Sequence, residues 1–451
     1  MSFNRLLGLS EWGPAHYLAA AFCCVALLVP LGGEALFAVT ALIGCYKLAI
    51  RSQRKRVFAQ VQIDKQDLLW TGLAIASIFL IKLASLGWTI DQRASVRDVG
   101  THIHFALFIP VVAALITLKQ TAQAEHAAKA GCLLAGLVGG IWAIVHVVKS
   151  GSAATPVLFK AGAQNAIVLG GFACVLAVWL FLWFIKQPKA WTAAALTGAI
   201  AMMLATGRRT PVLSLMAVVV IVGMMVLWRS RNSIRKNTSI NRYWFLAVAC
   251  LTILIFATAS SWQLAWVEIQ KYAQTRDPST SVGARLELYT VALKAIQAAP
   301  WFGHGAGTTF ELVQRYSDQA KNVFWTGHMH NQYFQWLTES GIVGMVIICA
   351  ALGWIWHTLT RNIKTTSGGP NTWAWPASLL IVIAVWALLS AVFKQGLVNA
   401  YFVFMLALLW LWTHPTPKEA HLATELPYEL PSELPTDLPN TLPSSPATIN
   451  N

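Results

Sequence analysis

The chain alternates long apolar runs with short polar breaks along nearly its whole length. Runs of about 20 residues recur from residue 15 to residue 413, and each is long enough to cross a hydrocarbon core of ~30 Å as a helix. The pattern predicts twelve spans, at about 15–31, 35–50, 68–88, 102–118, 129–148, 165–185, 190–206, 211–228, 244–266, 341–358, 373–393 and 397–413. Lipid cannot satisfy open backbone groups, so the spans must be helices. Two breaks stand out. Thr206-Gly207-Arg208-Arg209-Thr210-Pro211 is very short and carries two adjacent arginines. The segment from about 267 to 340 is by far the longest. Its middle, Ser281 to Ala298, predicts an amphipathic helix with an apolar stripe at Ala284, Leu288, Val291, Ala292 and Ala295, capped by Ser279 or Ser281. Pro300 and Gly303-His304-Gly305-Ala306-Gly307 predict a tight turn.

The expected fold is therefore an all-α polytopic integral membrane protein of about 12 transmembrane helices, with one large helical loop between spans nine and ten. Residues 1–413 form this transmembrane domain, 267–340 included. The apolar run at 16–31 lacks a clear small-residue cleavage site, so the first span is expected to stay. After His414 the pattern stops. Leu426-Pro427 begins a Leu-Pro repeat that returns every fourth residue to Leu442-Pro443. Proline at that spacing forbids a helix, so 414–451 is expected to be an extended, disordered tail.

Composition agrees: 56% of residues are hydrophobic, 11% are charged, and mean hydropathy is +0.56. A soluble domain would carry about 25% charge. The net charge of +15 reads as a positive-inside bias. Basic clusters follow the even-numbered spans, at Arg51/Arg54/Lys55/Arg56, Lys119, Lys186/Lys189, Arg229/Arg231/Arg235/Lys236 and Arg361/Lys364. Both termini are thus expected in the cytoplasm and 267–340 outside. A nucleic-acid partner is not indicated, since the basic residues lie in short loops. The seven cysteines all fall in apolar runs and read as small core residues. Trp88, Trp228, Trp244, Trp266 and Trp412, near span ends, are expected at the interfaces.

Candidate chemistry lies in the polar breaks. His330 stands where polar sequence ends and apolar sequence resumes. A lone histidine there is commonly a hydrogen-bonding boundary residue. At the start of a helix and near arginines, however, it would feel positive potential from both, which favours the neutral imidazole that a general base needs. Arg208, Arg209 and Arg285 can snorkel to lipid phosphates, or bind a phosphate of a substrate bidentately. Lys82, inside span three near its outer end, reads first as a snorkelling residue and second as a site candidate. His328, His304 and Asn331 are secondary candidates. The sequence holds no Gly-x-x-x-x-Gly-Lys-Ser/Thr, no Asp-x-Asp, and no metal-ligand set beyond the His328/His330 pair. No metal or cofactor is expected, and the energy of an outer-face reaction would have to come from a preactivated lipid donor.

Three of these elements, in order, resemble the O-antigen ligase family of bacterial inner membranes. Thr206-Gly207-Arg208-Arg209-Thr210 is similar to its Ser-Gly-Ser-Arg-Thr/Gly element, with Arg208 where a serine is usual. Ser281-x-x-x-Arg285 with Pro300-x-x-Gly303-x-Gly305-x-Gly307 is similar to its outer-loop element. His330-Asn331 followed by Gly341-x-x-Gly344 is similar to its histidine motif. The resemblance implies transfer of a glycan from undecaprenyl diphosphate to an outer-leaflet acceptor, lipid A–core oligosaccharide. His330 would be the base, and Arg209, Arg285 and Arg208 would hold the diphosphate. Polymerases and protein O-oligosaccharyltransferases of the same superfamily stay open as alternatives. A twelve-span transporter or flippase is the alternative of another class. Against it stand the missing Gly-x-x-x-Asp-Arg between spans two and three and the unequal halves.

Overall fold

The structure is a computed structural model. It describes residues 12–29, 31–61, 65–119, 121–150, 166–229, 252, 259–319, 327–361 and 373–414. Among them every regular element is a helix. In chain order these are α1 (Pro14–Leu28), α2 (Gly32–Ala49), α3 (Arg51–Gln60), α4 (Lys65–Ala84), α5 (Gln92–His102), α6 (Phe108–Leu115), α7 (Thr121–Ser150) and α8 (Ala166–Lys186). Then follow α9 (Ala190–Ala205), α10 (Arg209–Arg229), α11 (Ala259–Thr275), α12 (Ser281–Ala298), α13 (Thr309–Tyr316), α14 (Gln332–Arg361), α15 (Ala374–Leu389) and α16 (Gly396–Thr413).

Among the described residues, seven helical stretches are long and apolar enough to cross a membrane: Gly32–Ala49, Lys65–Gly87, Gln92–Lys119, Gln123–Lys149, Ala166–Lys186, Gln332–Arg361 and Gly396–Thr413. Four shorter apolar helices, Pro14–Leu28, Ala190–Ala205, Arg209–Ile221 and Ala374–Leu389, lie where spans one, seven, eight and eleven are predicted. The protein is a multi-pass membrane protein. Most of the predicted ninth span at 244–266, with Trp244 and Cys250, lies outside the described residues, as does the tail from 415.

The helices sort by how their apolar residues are used. α8 and α16 are apolar all round and buried on nearly every side, so they form the centre. α2, α4, α7 and α14 instead leave Leu42, Leu73, Ile141 and Val346 exposed, faces suited to lipid rather than water. Where α7 crosses α9 the contacts are glycines. A Cβ on Gly198 would stand 2.1 Å from the Gly136 carbonyl oxygen, so close approach rather than side-chain bulk sets that crossing.

Several expectations are corrected. The predicted span at 102–118 is not one regular helix. α5 ends at His102, Ile103–Leu107 is a 3-10 turn, and α6 carries Pro110 in its first turn. Proline donates no amide hydrogen, so it fits a helix start and the chain tightens before it. The helix Ser281–Ala298 is present with its predicted stripe buried, but Thr280 caps it, its hydroxyl accepting from the Gly283 amide at 3.0 Å. Trp412 is buried in an aromatic cluster with Trp375. Cys45 and Cys349 are exposed rather than core.

The feature that places the site is a break in α14. Gly341 has φ 62° and ψ −166°, so the helix changes direction there. The segment 300–307 fills the gap. The amides of Ile342 and Val343 donate to the carbonyls of Pro300 and Trp301 at 2.8 and 3.1 Å. The carbonyls of Thr338 and Glu339 accept from the amides of His304 and Gly305 at 2.8 and 3.0 Å. These four backbone groups at the break are thereby satisfied inside protein, which the low-dielectric setting demands. The approach leaves no room for side chains. A Cβ on Gly303 would lie 2.6 Å from the Glu339 carbonyl carbon, and one on Gly341 2.3 Å from that of Trp301. The Gly303–Gly307 turn and Gly341 are thus two halves of one joint.

Candidate active site

Connections at one end of the bundle converge here. The Trp88 indole donates to the Phe302 carbonyl at 3.0 Å, and the Ala306 amide to the Ser85 hydroxyl at 3.0 Å. Asn331 Nδ2 donates to the Leu388 carbonyl at the end of α15, also at 3.0 Å.

Two arginines come from the α9–α10 turn. Gly207, at φ 60°, ends α9 in the left-handed conformation, and its amide donates to the Leu204 carbonyl at 2.9 Å. Arg208 is exposed, and Arg209 opens α10, with Pro211 tolerated in the first turn. Arg285 projects from α12 one turn before Tyr289. Burial lowers its pKa, Tyr289 opposes that, and Arg209 and Arg208 add to the lowering, with Glu268 opposing. The three guanidiniums therefore share one electrostatic field. Among the described residues none of them forms an ion pair.

The histidines come from the turn before α14. Asn331 caps that helix: its Oδ1 accepts from the amides of Tyr333 and Phe334 at 2.9 and 3.1 Å. The asparagine of the motif is thus committed to structure. His330, half-buried, takes φ 51°, a left-handed value unusual for a side-chain-bearing residue. Its amide donates to His328 Nδ1 at 3.2 Å, which leaves the His328 proton on Nε2. The two rings meet edge to face with centroids 4.2 Å apart. Tyr289 Oη reaches the His330 carbonyl at 3.4 Å. Burial, then His328, then Arg285 lower the His330 pKa from 6.5 to about 3. Burial, then Lys394 and Arg285, lower that of His328 to about 4. Burial leads both shifts, and both favour the neutral imidazole.

Lys82 does not snorkel. Only 1% exposed, it pairs with Glu339 inside the protein. Lys394 Nζ joins them, 2.5 Å from Glu339 Oε1 and 2.7 Å from Asp98 Oδ1, and His102 Nδ1 lies 3.8 Å from Asp98 Oδ2. Two lysines thus face two carboxylates. His304 is buried elsewhere, with Nε2 donating to the Ala295 carbonyl at 2.9 Å, which makes it a support of the 300–307 turn. Sequence reasoning missed Tyr289, Gln335, Asp98, His102, Glu339 and Lys394. For Asp98, His102, Glu339 and Lys394 the available signal was an ionisable residue within or beside an apolar run.

Residues 193–349 match the family described as O-Antigen ligase. That segment belongs to the O-antigen ligase family. An uncharacterized protein of Haemophilus influenzae is 30% identical over 218 residues, 44% of this chain and 52% of that protein. The chain thus spans about half the length of this curated relative. The O-antigen ligase segment holds Arg208, Arg209, Arg285, His330 and Glu339. Lys82, Asp98 and Lys394, which neutralise Glu339 or each other, lie outside it.

Proposed function

We propose that the protein is a glycosyltransferase of the bacterial inner membrane, with both termini cytoplasmic and its site on the periplasmic face. It moves O-antigen glycan from undecaprenyl diphosphate to lipid A–core oligosaccharide. One observation carries the reading. Three guanidiniums without a carboxylate ion pair among the described residues stand in the same field as a neutral, half-buried histidine. Like charges held together repel, and a bound diphosphate would relieve that. Arg208 and Arg209 also sit at the start of α10, where free amides and the helix dipole favour an anion.

The reaction follows from those groups. An acceptor hydroxyl oxygen attacks C1 of the donor sugar as the bond from C1 to the diphosphate oxygen breaks. The hydroxyl proton passes to neutral His330, and the electron pair leaves with the diphosphate. Arg209 and Arg285, with Arg208 beside them, stabilise the charge that grows on that oxygen. Direct attack inverts C1. A buried imidazole of pKa about 3 is a weak acceptor, but a bound diphosphate would offset the field of Arg285 and raise its basicity.

The test uses purified protein, a polyprenyl-diphosphate glycan and lipid A–core, without ATP or added metal. Transfer to lipid A–core is expected. Extension of a second lipid-linked glycan instead would make it a polymerase, and coupled flux without transfer would make it a transporter.

A further inference from the structure

The turn that carries His330 needs an anchor. A non-glycine residue in the left-handed region is strained and persists only where its surroundings over-determine it. On its C-terminal side Asn331 supplies the helix cap. On its N-terminal side lies Met329, fully buried among Leu288, Val291, Ala295 and Leu312. The Met329 amide donates to Gln335 Oε1 at 2.8 Å.

Gln335 is itself fixed. Its Nε2 donates to Thr309 Oγ1 at 3.0 Å and to Glu339 Oε1 at 2.6 Å. A flipped amide would set two donors against each other at Met329 and two acceptors against each other at Glu339, so a single orientation survives. Glu339 is pinned in turn by Lys394, by Lys82 and by the Gly307 amide at 2.7 Å. Asn331, Gln335 and Glu339 follow each other at every fourth residue, on one face of α14.

We propose that Gln335 is a positioning residue that transmits the constraint of the buried charge cluster, through the Met329 amide, to the His328–His330 turn. This rests on the reading of His330 as the base. Gln335 is fully buried, so its loss should change where the base stands and not what binds the diphosphate.

The experiment compares full-length wild type, Gln335→Met and Thr309→Val in lipid nanodiscs. Hydrogen–deuterium exchange is read at the peptide containing Met329, and donor KM and kcat are read in the transfer assay. Gln335→Met keeps the side-chain volume but removes the amide. It should speed exchange at Met329 and lower kcat on the order of 10²-fold, as expected for a misplaced group, with donor KM unchanged. Thr309→Val, which removes one acceptor of Gln335 and leaves α14 intact, should shift both readouts less, and it decides the matter if Gln335→Met folds poorly. Unchanged exchange in both variants would overturn the proposal. Faster exchange with wild-type kcat would overturn the link to catalysis. A wild type that transfers no glycan counts against the reading of His330, and exchange at Met329 then decides the positioning by itself.

Discussion

Two clusters of charge among the described residues are built on opposite terms. Around Glu339, two lysines meet two carboxylates in a space closed to solvent. Around Arg285, three arginines share a field without ion pairs among the described residues, beside two histidines kept neutral. Both arrangements carry an electrostatic cost. In the first the cost is met internally, so the groups serve the fold. In the second no ion pair among the described residues offsets it, and the proposed diphosphate binding would do so. The sum of charge in its setting, rather than the residue type, separates a structural ionisable group from a binding one.

The contrast is most sharply tested at His330. His330→Ala should lower transfer on the order of 10²–10⁴-fold, the usual worth of a general base, with unchanged thermal unfolding and donor binding. Near-normal rates in His330→Gln would remove the base role. Next comes the balanced cluster. Glu339→Ala leaves two buried lysines against Asp98 and should destabilise the protein by about 3–5 kcal/mol, as for breaking a buried pair. Thermal unfolding in detergent measures this. Removing charge in balance, as Lys82→Met with Glu339→Gln, should cost less than Glu339→Gln alone. A double variant worse than the single would show that the cluster is not organised by charge balance.

Arg285→Ala and Arg209→Ala should behave in the opposite way. Fold stability should hold or rise as repulsion falls, while transfer drops on the order of 10²–10³-fold, by analogy with loss of an oxyanion donor. Lysine should rescue only partly, because it lacks the planar fork. Arg208→Ala should be milder, since Arg208 is exposed and replaces a serine of the family element. An essential Arg208 with a dispensable Arg209 would shift the phosphate contact by one residue.

The smallest effect expected is in pH dependence. kcat/KM reports the free enzyme, so its acid limb should lie well below 6.5, towards the His330 value of about 3. The limb in kcat should sit at higher pH, because the bound diphosphate raises the imidazole pKa. Stability follows the same groups. The unfolded chain takes up protons near 6.5 while folded His328 and His330 do not, so they contribute nothing above that pH and destabilise as pH falls below it. Identical limbs in kcat and kcat/KM would argue against diphosphate binding beside His330.

Apolar run length determined that this chain is a helical membrane protein, because a bilayer accepts few other solutions. The sequence also determined the helix at 281–298, whose stripe needs only local periodicity, and the grouping of Arg208, Arg209, Arg285 and His330 as candidates, which short motifs carry. Tertiary structure decided what each charge is for. Lys82 looked like a snorkelling lysine until Glu339, 257 residues away, was found beside it. Asn331 and Gly341 looked like parts of a catalytic motif, yet one caps α14 and the other breaks it. Gly303 to Gly307 looked like a turn, yet they fill that break. In each case a long-range partner satisfies a local polar group, and no pattern along the chain encodes which distant group that will be.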